Sequence, residues 1–299
     1  MKLSISLDIS AAGPASEPIN AFRDRCAQVE AARPDFVLLA RDGQDGLIAP
    51  PLLEALVDSA WITSVLKTPC VVAGLPGLHG VPFHVARALS AVDFLSGGRS
   101  GWMPLTTDAA RFDVAYGMAL AGIDAAEAVA RTDDFIRAAQ ALWDSWDDDA
   151  LILDKARGLY LDSTKVRRVD YRGPFYRTMG PLNAARPPQG YPLLVRDADA
   201  VKGSTVRADV ALGSRDALAA ADAAIKLLKV DAADRAALDA ALTAAAGGEV
   251  DGLHLQGARA LEVLQTLDRP AGAASPTGTC RASLGLEHPA NPYAEGAVR

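Results

Sequence analysis

Short apolar runs alternate with longer amphipathic stretches along most of the chain. Lys2 to Ile9 (KLSISLDI) reads as a first strand with Asp8 at its carboxyl end, and Ile19 to Ala32 follows as an amphipathic helix. Asp35 to Ala40 (DFVLLA) and Pro69 to Ala73 (PCVVA) are the second and third strands, with a helix over Leu52 to Ser64 between them. Pro192 to Val195, Ala208 to Leu212, Ala224 to Val230 and Val250 to Gln256 supply four more strands. Asp216 to Ala223, the Ala-rich Asp231 to Ala246, and Gly257 to Leu267 are helices among and after them.

The stretch from Ala91 to Thr107 (AVDFLSGGRSGWMPLTT) organises the rest. Ala88, Leu89, Val92 and Leu95 fall at helical spacing, so Phe83 to Leu95 is a helix with one buried face. Ser96-Gly97-Gly98 stops it, because glycine takes the left-handed conformation of a helix cap. Gly101 to Leu105 is then the fourth strand, with Trp102 and Met103 inside it. Thr106-Thr107-Asp108 falls on the face where α/β barrels keep their chemistry. Eight strands alternating with helices predict a (β/α)8 TIM barrel in one domain over residues 1–299. A doubly wound open sheet is the alternative, and the count of eight favours closure.

Two segments depart from the alternation. Ala125 to Trp146 is a long helix whose end carries Asp144, Asp147, Asp148 and Asp149. Acidic groups there oppose the helix dipole, so fraying near Trp146 and a solvated acidic end are expected. Trp143 and Trp146, three apart, should pack on the barrel. Asp154 to Pro188 is aperiodic and rich in Arg, Tyr, Gly and Pro, an excursion before the fifth strand.

Composition narrows the partners. Thirty basic against 37 acidic residues give a net charge of −7, which argues against a nucleic-acid surface. No apolar run approaches the ~20 residues that span a bilayer, and MKLSISLDIS lacks a signal peptide's apolar core, so the expected location is cytoplasmic. Cys26, Cys70 and Cys280 are few, odd in number and scattered, suggesting neither a disulfide framework nor a zinc site.

LSGGRSGW, then ALWDSWDDDAL and RGPFYRTMGPLNAARPPQGYPLLV, resemble the luciferase-like flavin-dependent monooxygenases. The closest resemblance is to the branch of nitrilotriacetate monooxygenase and dibenzothiophene-sulfone monooxygenase. It is specific over about Phe83 to Val195 and returns in LGLEHPANPY near the end. It implies reduced FMN at the carboxyl-end mouth of the barrel, a separate flavin reductase, a small organic substrate and pairing as a homodimer. The family's positions carry over onto His84 (PYHLAR there, PFHVAR here) and Trp102 (GRAGWN there, GRSGWM here) as pocket or packing residues.

The same resemblance marks departures. Met103 replaces an asparagine that hydrogen-bonds the flavin, and thioether sulfur is only a weak acceptor. Gly74 stands near a Thr or Ser, Arg41 (beside Asp42) replaces an acidic residue, and Val129 replaces a tyrosine. The family's phosphate loop, QAGAS-x-x-G, seats a dianion on backbone N–H groups at a helix start. Here Arg196-Asp197-Ala198-Asp199-Ala200-Val201-Lys202-Gly203 corresponds, placing two aspartates where the phosphate should bind, with Arg196 and Lys202 as the offsetting cations. The segment up to Ala208 is too short for a fifth helix. Lys202-Gly203-Ser204-Thr205 could form a smaller anion nest; the simpler reading is a solvated turn. One helix stands where the family has a covering insertion after strand seven, so the late βα units are shortened.

No nucleophile elbow, P-loop or Rossmann fingerprint is present. His79 and His84 lack a third ligand, so no metal site is expected, and His254 reads as structural. No catalytic residue is assigned. Two functions follow. One is a two-component FMN-dependent monooxygenase acting on a small organic substrate. The other is a non-catalytic, flavin-free homologue that partners another subunit or binds another small molecule. A retained phosphate nest favours the first; Asp197 and Asp199 pointing into the barrel mouth favour the second.

Overall fold

The computed structural model describes residues 1–7, 18–39, 55–106, 113–114, 116–120, 122–267 and 278–294. Eight parallel strands close into a barrel in chain order: β1 (Lys2–Leu7), β2 (Phe36–Leu39), β3 (Cys70–Pro76), β4 (Ser100–Leu105), β9 (Leu193–Asp197), β10 (Ala208–Gly213), β11 (Ala223–Asp231) and β12 (Gly252–Gln256). Closure comes from β12 pairing back onto β1, Leu3 opposite Leu253. Most of the strands are buried on both faces, which is why runs such as those of β2, β3 and β9 are nearly continuously apolar; β1 alternates apolar and polar positions, and β11 is only partly buried.

The inner face packs Phe36, Leu38, Val72, Met103, Val195, Val210 and Leu227 into one cluster. The outer face packs Leu3, Val37, Val71, Trp102, Leu194 and Leu253 against the helices. These helices are α1 (Pro18–Ala32), α2 (Ala55–Val65), α3 (Pro82–Ser96), α4 (Ala125–Trp143), α5 (Arg215–Ala220), α6 (Arg235–Ala246) and α7 (Ala260–Thr266). The predicted stop after α3 is present: Gly97 is left-handed, with φ 68°, and its N–H donates to Phe94. Between β9 and β10 the chain makes only turns, so the fifth unit lacks its helix, as the length of that segment predicts.

Three expectations need correction. The long helix ends at Trp143 rather than Trp146, and Trp146 instead bridges to Val166. The acidic end is an anchor more than a solvated tip. Asp147 holds Arg167 through both oxygens, Asp148 and buried Asp144 hold Arg186, and Asp149 pairs with Lys165. The aperiodic excursion and the residues just before it form two small antiparallel hairpins, β5 (Leu151–Asp154) with β6 (Leu159–Leu161) and β7 (Tyr171–Arg172) with β8 (Arg177–Thr178). Charge pairs at the helix end and burial of scattered apolar residues such as Leu182 and Tyr176, rather than an apolar period, hold this region in place.

Cysteine pairing is the third. Cys70 at the start of β3 and Cys280 at the start of α8 (Cys280–Leu284) form a disulfide across 210 residues. Cys280 and Leu284 join the inner-face cluster, and the Cys280 N–H donates to Gly98 at the amino-terminal end of the barrel. Thus α8 closes the end opposite the mouth. Gly98 must be glycine: at φ 82°, a Cβ there would lie 2.5 Å from Thr279 Cγ2.

Candidate active site at the barrel mouth

Inward-facing positions at the carboxyl ends of the strands define the mouth. On β4, Met103 faces in, and its register partner on β3 is Gly74. The two positions that lack the family's polar groups therefore sit side by side. Neither offers the hydrogen bond that an asparagine or hydroxyl would give.

Alternation along β9 turns Asp197 inward, and alternation along β11 turns Lys229 inward to meet it. The ammonium lies 2.8 Å from Asp197 Oδ1 and 2.7 Å from Asp199 Oδ2. Asp199 also accepts from the backbone N–H and hydroxyl of Ser214. Burial works against the charge on Lys229, but the hydrogen bonds it donates to the two aspartates outweigh it and hold its pKa above the usual lysine value. The cluster is one cation inside two anions.

Deeper in the barrel, His254 is fully buried on β12. Its Nδ1 is 2.8 Å from Ser4 Oγ and its Nε2 is 2.9 Å from Ser6 Oγ, while the ring stacks on Phe36. Burial first, and the nearby Lys229 charge second, push its pKa down to about 3. A neutral imidazole bonded at both nitrogens is a structural link between β1 and β12, in line with the sequence reading.

The strand-five segment faces the other way. Arg196, 2% exposed, points outward from β9 and donates through Nη1 to Asp133 on α4 at 3.0 Å. The same carboxylate accepts from Ser204 Oγ at 2.8 Å, the Thr205 N–H at 2.7 Å and Thr205 Oγ1 at 3.2 Å. Arg137 donates to Thr205 in turn. So Arg196, Ser204 and Thr205 do converge, but around an internal anion. Lys202 and Gly203 are exposed, Gly203 at φ 80°.

The remaining sequence candidates lie elsewhere. Trp102 is on the outer face of β4, edge-on to Trp143 at 5.5 Å and tilted on Phe135 at 6.0 Å. His84 is exposed on α3 with its ring edge-on to Phe83. Asp8, Arg41, Asp42, Thr107 and Asp108 lie outside the described residues. Two participants went unnoticed in the sequence. Lys229 was legible from its place in AIKLLKV, two residues beyond inward Leu227. Asp133 carried no signal beyond being a polar position in a helix.

FMN would have to fit the residues present. Its phosphate needs unsatisfied donors. The hydroxyls of Ser204 and Thr205 and the Thr205 N–H are spent on Asp133, the mouth cation is held by two carboxylates, and the two unbonded nitrogens of Arg196 are covered on the outer face of β9. The strand-five segment does not fit an FMN phosphate.

The architecture is that of a (β/α)8 barrel with its chemistry-bearing end at the carboxyl termini of the strands and its fifth helix missing. Residues 70–275 match the model of the luciferase-like monooxygenases, and the chain belongs to that family. Among curated relatives, it is 39% identical over 119 residues to dibenzothiophene-sulfone monooxygenase of Rhodococcus erythropolis, covering 38% of this chain and 25% of that enzyme. It is 30% identical over 161 residues to nitrilotriacetate monooxygenase component A of Aminobacter aminovorans, covering 54% and 35%. The matches thus span about a quarter to a third of those relatives' lengths. Among solved structures, EDTA monooxygenase from Chelativorans sp. BNC1 superposes with a TM-score of 0.69 at 19% identity over 96% of this chain and 98% of that one, a likeness of fold. No helix among the described residues is long and apolar enough to cross a membrane.

Proposed function

We propose that this chain is a luciferase-like barrel that does not seat FMN at the strand-five loop and acts as a flavin-free partner subunit of a monooxygenase. One observation carries the reading: the Asp133 carboxylate fills the nest made by Ser204 and Thr205. A phosphate brought there would meet a buried anion 2% exposed to solvent, and like charges at such range repel strongly in a low dielectric. The inward Asp197 and the paired Asp199 add to that repulsion, and Lys229 offsets only one of them.

Family membership favours a second reading, a two-component monooxygenase. It would take reduced FMN from a separate reductase, act on a small organic substrate in the cytoplasm, and pair as a homodimer. In that case flavin would supply the oxygen chemistry, and the mouth residues would have to hold it without the strand-five nest.

Anaerobic calorimetric titration with reduced FMN separates the two. The flavin-free reading expects no saturable heat and no effect of free phosphate. Saturable micromolar binding, competed by phosphate, would overturn it in favour of the oxygenase.

A further inference from the structure

The missing fifth helix leaves a groove of about 520 Å³ on the outer face of β9 and β10. That size is within the range of small-molecule sites, about 300–1,000 Å³. Its wall is built from the small buried side chains Ala198, Ala208, Ala211 and Ala217, and its rim carries the exposed Lys202, Asp216, Ala220 and Asp222, so the charge that favours an anion is the deeper Arg196. Arg196 contributes to the lining.

Arg196 is where the groove acquires chemistry. Only Nη1 of its guanidinium is bonded to Asp133; Nε and Nη2 are buried and have no acceptor. Those two nitrogens form the side edge of the guanidinium, the fork that takes a carboxylate through two parallel hydrogen bonds. A buried donor without a partner costs about 1–3 kcal/mol, so a fitting acceptor is favoured by the full relief of that cost. Burial already pulls the Arg196 pKa down, against the attraction of Asp133, so a second anion would also steady its charge.

We infer that this groove is a binding site for a small monocarboxylate with a compact apolar body, its carboxylate on the Nε–Nη2 edge of Arg196 and its hydrocarbon against the alanine wall. The two nitrogens are covered, so binding draws the loop slightly outward at 201–203, because Ser204 and Thr205 are held by Asp133 while a Cβ built at Gly203 would meet nothing within 4 Å. The groove is lined by Lys202, Gly203 and Ser204 of the strand-five loop, so the inference rests on the reading that no FMN phosphate occupies that loop, which the flavin titration tests separately.

The test uses hexanoate as probe, with hexanol lacking the charge and acetate lacking the body. Binding is followed on the full chain by calorimetry and by the Arg196 Nε–H resonance in ¹⁵N NMR. Hexanoate should bind saturably and shift that resonance, while hexanol and acetate bind at least about tenfold more weakly, the value of one charge-assisted bond or two buried methylenes. Arg196→Met should abolish the discrimination between hexanoate and hexanol. If that variant does not fold, Ala220→Phe, placed at an exposed rim position, fills the groove and should weaken hexanoate with Arg196 intact. Equal binding of hexanoate and hexanol, equal binding of hexanoate and acetate, no saturation, or no effect of Ala220→Phe would each overturn the site.

Discussion

Gln189 Nε2 donates to Asp93 Oδ1 at 2.6 Å, joining the end of the excursion to α3 across 96 residues of chain. The same amide donates to the Ser100 carbonyl at 2.8 Å, and its oxygen accepts from the Arg281 N–H. Asp93 also accepts from the Ser100 hydroxyl. One buried pair thus ties α3, β4, the excursion and α8 together. Burial raises the Asp93 pKa, and the bonds from Ser100 and Gln189 oppose that shift without cancelling it.

Removing the amide leaves the Asp93 carboxyl under-satisfied in the interior. Gln189→Ala should therefore lower stability by about 2–4 kcal/mol, read from the urea midpoint at constant m-value. Gln189→Glu, which sets a second carboxyl beside Asp93, should cost more. A change within about 0.5 kcal/mol, typical of surface substitutions, would show that this junction does not hold the fold.

Asp133 and Arg196 predict a coupled pair. Asp133→Ala strands a buried guanidinium and should cost about 3–5 kcal/mol. Arg196→Met should cost less, because Asp133 keeps its donors from Ser204 and Thr205. The double variant should be more stable than the sum of the two singles implies, by about 1–3 kcal/mol in a double-mutant cycle. Strict additivity would mean that the pair is geometric only.

His254 sets a pH dependence. Its folded pKa, about 3, lies below the ordinary value of 6.5, so the unfolded chain takes up the proton first as pH falls. The stability that this residue contributes is complete above pH 6.5 and is lost progressively as pH falls towards 3. Comparing urea curves of the parent and His254→Gln between those limits isolates the slope. The imidazole ¹⁵N shifts should stay those of a neutral ring down to acid unfolding; protonation near pH 6 in the folded state would refute the buried, doubly bonded ring. Asp144 contributes with the opposite sign. Burial raises its pKa to about 6, over the opposing pulls of Tyr191 and Arg186, so its contribution is fully present below its ordinary value of 3.8 and is lost as pH rises through 6.

The barrel was legible in the sequence and the site was only partly so, for one physical reason. A strand buried on both faces must be apolar at nearly every position, so runs such as PCVVA and PLLV announce themselves without any knowledge of their neighbours. Polar links are specified by a partner far along the chain. Asp133 and Asp134 on α4, and Asp144 just past its end, read locally as a solvated face, yet each is buried. Asp134 receives the Phe175 and Tyr176 N–H groups and comes so close to Gly173 that a Cβ there would lie 1.8 Å from its Oδ1. The two-residue strands β7 and β8 are too short to show a period at all. Lys202-Gly203-Ser204-Thr205 was recognisable as an anion nest, but no local pattern could reveal that the anion is the protein's own Asp133.

The Cys70–Cys280 link was invisible for the same reason, and it gives the most direct check on the closed end of the barrel. Both cysteines are buried, at 1% and 0% exposure, so reductant should act slowly on the native protein and quickly after unfolding. Non-reducing proteolysis and mass spectrometry of protein purified under alkylating conditions should yield the two cysteine peptides joined, with Cys26 alone alkylated on denaturation. Cross-linking residues so far apart in the chain restricts the unfolded ensemble strongly, by about 3–5 kcal/mol in the chain-entropy view. Cys280→Ala should therefore lower the urea midpoint, and reducing the parent should lower it by a similar amount. Recovery of three alkylated cysteines from air-exposed protein would mean that α8 is held by packing and by the Cys280 N–H bond to Gly98 alone.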